Sequence, residues 1–222
     1  MQRLVKLSGF SRRKLLTLEG CLCALLLMAG CGNLQGPDVF LTTSSPDNTY
    51  FVALKRAKAA APRTPIWADV FKNGQLTVSG IWLHTADETF MPFETVYPER
   101  RWLKDNVLEF YNRDSFKSGS DSLQVENKTS KPIRYLQVES VNKFLLFDLH
   151  PGASVSLTLP APTLNSQWIA AEGLFSSGEK IRFTSRSFDR RSSPHVSLYK
   201  VFVTDSETII QNDSPTRDGL RP

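Results

Sequence analysis

The sequence predicts a mainly β protein, an antiparallel β-sandwich, and three observations predict it. Short runs rich in Val, Ile, Leu, Phe, Tyr and Thr follow one another from Tyr50 to Thr204, separated by turn-forming residues about every eight to twelve positions. Asn73-Gly74 stands between two such runs, the strongest short signal for a β-hairpin. Helical periodicity is thin, its one Ala- and Lys-rich stretch, Ala53–Ala61, being bounded by Pro62 and Pro65.

The first strand follows an Asp47-Asn48 turn, with Tyr50, Val52 and Leu54 alternating with Phe51, Ala53 and Lys55. Ile66–Lys72 and Gln75–Val78 flank Asn73-Gly74, and Trp102 precedes Val107–Tyr111. Seven runs then follow: Leu123–Glu126, Ile133–Val138, Phe144–Leu149, Val155–Leu159, Gln167–Phe175, Lys180–Thr184 and Val196–Thr204. Val155, Leu157 and Leu159 alternate with Ser154, Ser156 and Thr158, as a half-buried strand should. Seven short strands with regular turns predict an immunoglobulin-like sandwich. The disulfide and tryptophan marks of antibody domains are missing, so the expectation is architectural.

The expected organisation is a signal peptide over 1–30, a tether over 31–46 and a smaller N-terminal β-sheet region over 47–113. A Ser/Gly/Asp linker over 114–122, the immunoglobulin-like sandwich over 123–208 and a disordered tail over 209–222 complete it.

The N-terminus carries Arg3, Lys6, Arg12, Arg13 and Lys14, and a short apolar stretch, Cys21–Ala29, follows. A basic head, an apolar middle and small residues before a cut are the layout of a secretory signal peptide. The stretch is about half the length that a membrane-spanning helix needs. Its end, Met28-Ala29-Gly30-Cys31, resembles the lipobox of bacterial lipoproteins, with Met28 where leucine is usual. The resemblance implies cleavage before Cys31, a lipid on its thiol, acylation of the freed amine, and anchorage without a transmembrane helix. Ser11-Arg12-Arg13-Lys14-Leu15-Leu16 resembles the twin-arginine export motif, with Leu15 where phenylalanine is commonest. Gly32 follows the cysteine, and the absence of Asp there points to the outer membrane, facing the periplasm. Tyr97–Leu103 together with Asn127–Gly152 resembles segments of uncharacterised bacterial lipoproteins, a resemblance that implies no named activity.

Removing residues 1–30 changes the composition decisively. Five basic residues and Glu19 leave with them, carrying +4 of the chain's +5. The remainder is nearly neutral and offers no field for nucleic acid or anionic lipid. Of the three cysteines, Cys21 and Cys23 depart and Cys31 is the lipid attachment site, so neither a disulfide nor a thiolate site is expected. The 192 residues that remain must be held by a packed core.

His84, His150 and His195 stand apart, in no zinc-binding spacing. No Gly-x-Ser-x-Gly elbow and no Gly-rich phosphate loop is present. Accordingly no catalytic residue, metal site or cofactor is assigned. His84 beside Asp87 and Glu88 reads first as a polar loop, His150 as a turn residue, and Glu94, Glu99, Asp105 and Glu109 as scattered surface carboxylates. Phe90, Phe93, Tyr97 and Trp102 read as cover for the open end of a sandwich. The densest charge cluster is Arg182, Arg186, Arg190 and Arg191, which suits an anionic envelope ligand or a partner protein. The expected function is that of a lipid-anchored envelope component acting by binding or in assembly. The alternative is an envelope hydrolase or carbohydrate-active protein with its site on sandwich loops.

Overall fold

The structure is a computed structural model that describes residues 39–56, 66–83, 93–116, 120–160, 166–189 and 197–213. It is mainly β, with strands arranged in three sheets. The first sheet has the order β1 (Val39–Ser44), β2 (Tyr50–Arg56), β3 (Ile66–Lys72), β4 (Gln75–Leu83), every pair antiparallel. A single helical turn, α1 (Phe93–Val96), leads to β5 (Glu99–Lys104) and β6 (Val107–Tyr111). Strands β7 (Ser120–Asn127), β8 (Ile133–Glu139), β9 (Lys143–Leu149), β10 (Ser154–Pro160), β11 (Ser166–Phe175), β12 (Lys180–Asp189), β13 (Leu198–Val203) and β14 (Thr208–Asn212) follow. They form a six-stranded sheet β12-β11-β8-β9-β6-β5 and a four-stranded sheet β10-β7-β13-β14. The β7–β13 pairing is parallel, and all others are antiparallel. Strands β7–β14 thus lie in two facing sheets, compatible with the immunoglobulin-like expectation.

The six-stranded sheet is the middle layer. Successive side chains of a strand point to opposite faces, and β9 uses this to build two cores. Phe144 and Leu146 enter one core with Leu123, Val125, Val155 and Val201 of the four-stranded β10-β7-β13-β14 sheet. Leu145 and Phe147 enter the other with Tyr50, Val52, Leu54, Ala68 and Val70 of the first sheet. All four β9 residues are at most 1% exposed. The unbroken Phe144-Leu145-Leu146-Phe147 run is the sequence signature of a strand covered on both faces. Fully burying a side chain of this size contributes roughly 1.5–3 kcal/mol.

Polar contacts fix how the first layer docks. The Tyr50 hydroxyl donates to Asp148 Oδ2 at 2.6 Å, and the Lys72 ammonium pairs with the same carboxylate. Asp148 presents it from a left-handed backbone conformation, φ 50°, which Asp tolerates better than most residues. Trp102 Nε1 donates to Thr43 Oγ1 at 3.0 Å. Phe93 and Tyr97 are buried in this core and Trp102 packs partly buried against it, whereas Phe90 lies outside the described residues.

Four expected boundaries are corrected. Val39–Ser44, inside the expected 31–46 tether, is β1, because its β-branched and aromatic side chains pair with β2 across the Ser45–Asn48 turn. The hairpin β5–β6 was expected in the N-terminal region but pairs with β9, so the middle sheet joins both halves. The expected linker 114–122 contains part of a 3-10 turn, Arg113–Phe116, and the start of β7. Ile209–Asn212, expected in the tail, belongs to β14, whose Ile210 reaches the core. The Asn73-Gly74 hairpin lies between β3 and β4 as expected, with positive φ at both residues (50° and 77°).

Candidate functional site

The arginine-bearing strand is β12, an edge of the middle sheet. It returns from β11 through a turn at Gly178, whose φ of 90° suits glycine. Ala171 pairs with Thr184 but Gly173 pairs with Ile181, so Arg182 and Phe183 together oppose the single residue Glu172. This is a β-bulge, a device that re-aims side chains at a sheet edge. Ile181 and Phe188 remain in the core, while Arg182 and Phe183 are exposed, Phe183 at 50%. Arg186 lies beyond the bulge. Its Nη1 donates to the Ile210 carbonyl of β14 at 3.1 Å, and its guanidinium sits 5.3 Å from the Phe188 ring centroid. Arg186 therefore bridges the edges of two sheets, whereas Arg182 projects from the bulge. Arg190, Arg191 and His195 lie outside the described residues, as do His84 and Cys31.

A second polar group, on the face of the middle sheet turned toward the first sheet, was not anticipated. Gln137 pairs across to Glu172, and Glu139 to Lys143, placing all four on one face. Lys143 Nζ lies 3.0 Å from Glu139 Oε2, with the two side chains 0% and 4% exposed. Burial lifts the Glu139 carboxyl to about 7, against the pull of Lys143; Glu172 adds to the rise, and a Tyr97 hydrogen bond opposes it. Burial also raises Glu172, against Lys143 and Lys180. Gln137 Nε2 donates to Glu172 Oε1 at 3.3 Å, and Gln137 Oε1 is buried without a hydrogen-bond partner. Chemically, the cluster is a buried cation between two carboxyls of raised proton affinity, able to hold or pass a proton near neutrality. No sequence motif flags it, because its members are spread over three strands at separations that only strand register converts into neighbours.

Three further carboxylates raised by the sequence, Glu94, Glu99 and Glu109, have partners. Glu109 is fully buried and accepts from Arg101 Nε and Asn142 Nδ2, both at 2.6 Å. Glu94 pairs with Arg56 at 3.0 Å and Glu99 with Arg113 at 3.1 Å. His150 is exposed at a turn and accepts through its carbonyl from the Ala153 amide at 3.0 Å. Asn127 is a turn staple: its buried side chain donates to the Lys131 and Leu149 carbonyls and accepts from the Thr129 amide and hydroxyl. Among the described residues, no three His, Cys, Asp or Glu side chains are grouped to hold a metal ion, and no helix is long and apolar enough to cross a membrane.

No protein-family model matches the chain, and no curated protein matches it. Among solved structures, the chain is similar to one described as the NMR structure of a protein from Eubacterium rectale. That likeness has 15% identity, covers 45% of this chain and 93% of the other, and has a TM-score of 0.31. A second similar structure is described as the crystal structure of a Gram-negative toxin. There the identity is 9%, the coverage 74% of this chain and 48% of the other, and the TM-score 0.25. Likenesses this distant carry no functional argument.

Proposed function

We propose that the chain is a lipid-anchored component of the bacterial envelope, tethered through Cys31 to the periplasmic face of the outer membrane, and that it acts by binding. The observation that carries the binding half is the β12 bulge, which turns a cation and an aromatic ring, Arg182 and Phe183, outward together on a sheet edge. Arginine beside an exposed aromatic suits an anionic group carried by an envelope protein or glycolipid. Arg190 and Arg191, which lie outside the described residues, follow the end of β12 in the sequence.

The two halves are tested separately. Palmitate labelling of the wild type and of Cys31→Ser tests the anchor, and equal labelling of both sinks it. A photo-crosslinking residue at position 183 tests the binding edge in living cells. The expected adduct is a discrete species that Arg182→Glu abolishes, and a pattern unaffected by Arg182→Glu refutes the assignment.

The alternative, an envelope hydrolase, is favoured by one observation, the Glu139 carboxyl held near 7 beside Glu172. We rank it second because the Glu139 side chain is 4% exposed and engaged by Lys143, leaving little access for a substrate. A retained lytic activity that Glu139→Gln removes would reverse the ranking.

A further inference from the structure

The outward face of the first sheet is aromatic. Register places Phe51 opposite Phe71, Phe71 opposite Leu76 and Trp67 opposite Trp82, all pointing away from the core that takes up Val52, Leu54, Ala68 and Val70. Two irregularities in β4 keep this sorting intact. Ser79 and Gly80 together oppose the single residue Asp69, and Thr77 is an extra residue between the Val70↔Val78 and Phe71↔Leu76 pairs. Leu76 and Trp82 are 54% and 59% exposed, and Phe51 and Phe71 meet edge to face with centroids 5.8 Å apart. At the centre of the face, Lys55 pairs with Asp69, which also accepts from Ser79 Oγ at 2.9 Å and the Gly80 amide at 3.0 Å. Burial pushes the Asp69 carboxyl up, but these donors outweigh it and hold the group below its ordinary range. The face is therefore apolar at its flanks and charge-compensated at its centre.

We propose that this face rests on the lipid bilayer that holds the chain's own anchor. The inference rests on the lipoprotein reading above. Seven residues separate Cys31 from Val39, the first residue of β1 in the same sheet. Fully extended at about 3.3–3.6 Å per residue, the eight steps reach at most about 29 Å. A folded unit of this length is about 40 Å across, so the tether cannot carry the opposite side of the molecule to the membrane. The sheet that receives the tether is thus the one nearest the bilayer, and it presents Trp, Phe and Leu, the side chains that settle at a lipid–water interface. With the mature chain near neutral and Asp69 compensated by Lys55, the contact is apolar. It should need neither anionic lipid nor low salt.

The test uses the full lipidated chain in phosphatidylcholine vesicles whose acyl chains carry bromine, a quencher of tryptophan fluorescence. Of the four tryptophans, Trp67 and Trp82 lie on the proposed face and Trp102 and Trp168 do not. The expected result is quenching that persists in Trp102→Phe and Trp168→Phe, falls by at least half in the Trp67→Phe/Trp82→Phe double variant, and is unchanged by 0.5 M salt. Leu76→Asp, which keeps every tryptophan, should lower quenching at least twofold. Unquenched Trp67 and Trp82 in a chain that floats with the vesicles and carries palmitate would overturn the docking face and spare the anchor. Failure of the wild type to float, or flotation equal to that of Cys31→Ser, would overturn the anchor itself. A fluorescence shift produced by peptidoglycan fragments and not by vesicles would reassign the face to glycan binding.

Discussion

Replacing Lys143 by Met tests whether the Glu139–Lys143 pair is a desolvated ion pair that holds the middle sheet. Both side chains are nearly inaccessible and 3.0 Å apart, so neither partner can recruit water when the other is lost. Removing one member of such a pair typically costs about 3–5 kcal/mol, and that range is expected at pH 8 by urea denaturation. The cost should also depend on pH. In the wild type Glu139 loses its proton near 7; without Lys143 it holds the proton to higher pH. Between pH 8 and about 6 the penalty should therefore shrink by about 1.4 kcal/mol, most of it above pH 7, and below that it should level off. A double variant, Glu139→Leu with Lys143→Met, removes both charges and should return to within about 1 kcal/mol of the wild type, or exceed it. A Lys143→Met cost below about 1 kcal/mol, or one constant from pH 6 to pH 8, would refute the reasoning. A double variant no better than the worse single one would do the same.

Wild-type stability should itself fall as pH rises from about 4.5 to about 7. Glu139 and Glu172 have raised carboxyls, so the folded state binds more protons than the unfolded chain in that window, and their contribution is greatest below it; a shallower profile in Glu139→Gln than in the wild type is the check. Gly173→Ala should destabilise by about 1–3 kcal/mol in thermal or urea melts, since an added Cβ would lie 2.4 Å from the Tyr135 carbonyl oxygen and 3.1 Å from Leu136 Cα, both backbone atoms of β8. Asn127→Ala should cost at least about 2 kcal/mol, because the buried Leu149 carbonyl loses a donor and the buried Thr129 amide its acceptor, whereas Lys128→Ala in the same turn should be nearly silent in the same melt. Phe147→Ala should cost about 3–5 kcal/mol and loosen the first sheet, which limited proteolysis within 39–83 would reveal.

The sequence by itself determined the class of fold and most of its strands. Alternation in Tyr50–Leu54 and Ser154–Leu159, the Asn73-Gly74 turn and the seven runs from Leu123 to Thr204 are local signals, carried by neighbouring side chains and turn geometry. Tertiary structure decided everything that depends on which strands pair. Nothing local says that β5 and β6 leave the N-terminal strands for β9, or that Phe144–Phe147 feeds two cores at once, because pairing is settled by which apolar faces can be covered together. The site followed the same rule. The arginines of β12 were legible as a charge cluster, yet the bulge that splits Arg182 from Arg186 exists only relative to β11. Glu139, Lys143 and Glu172 carry no motif; strand register brings them side by side, and removal of water around them is what changes their chemistry.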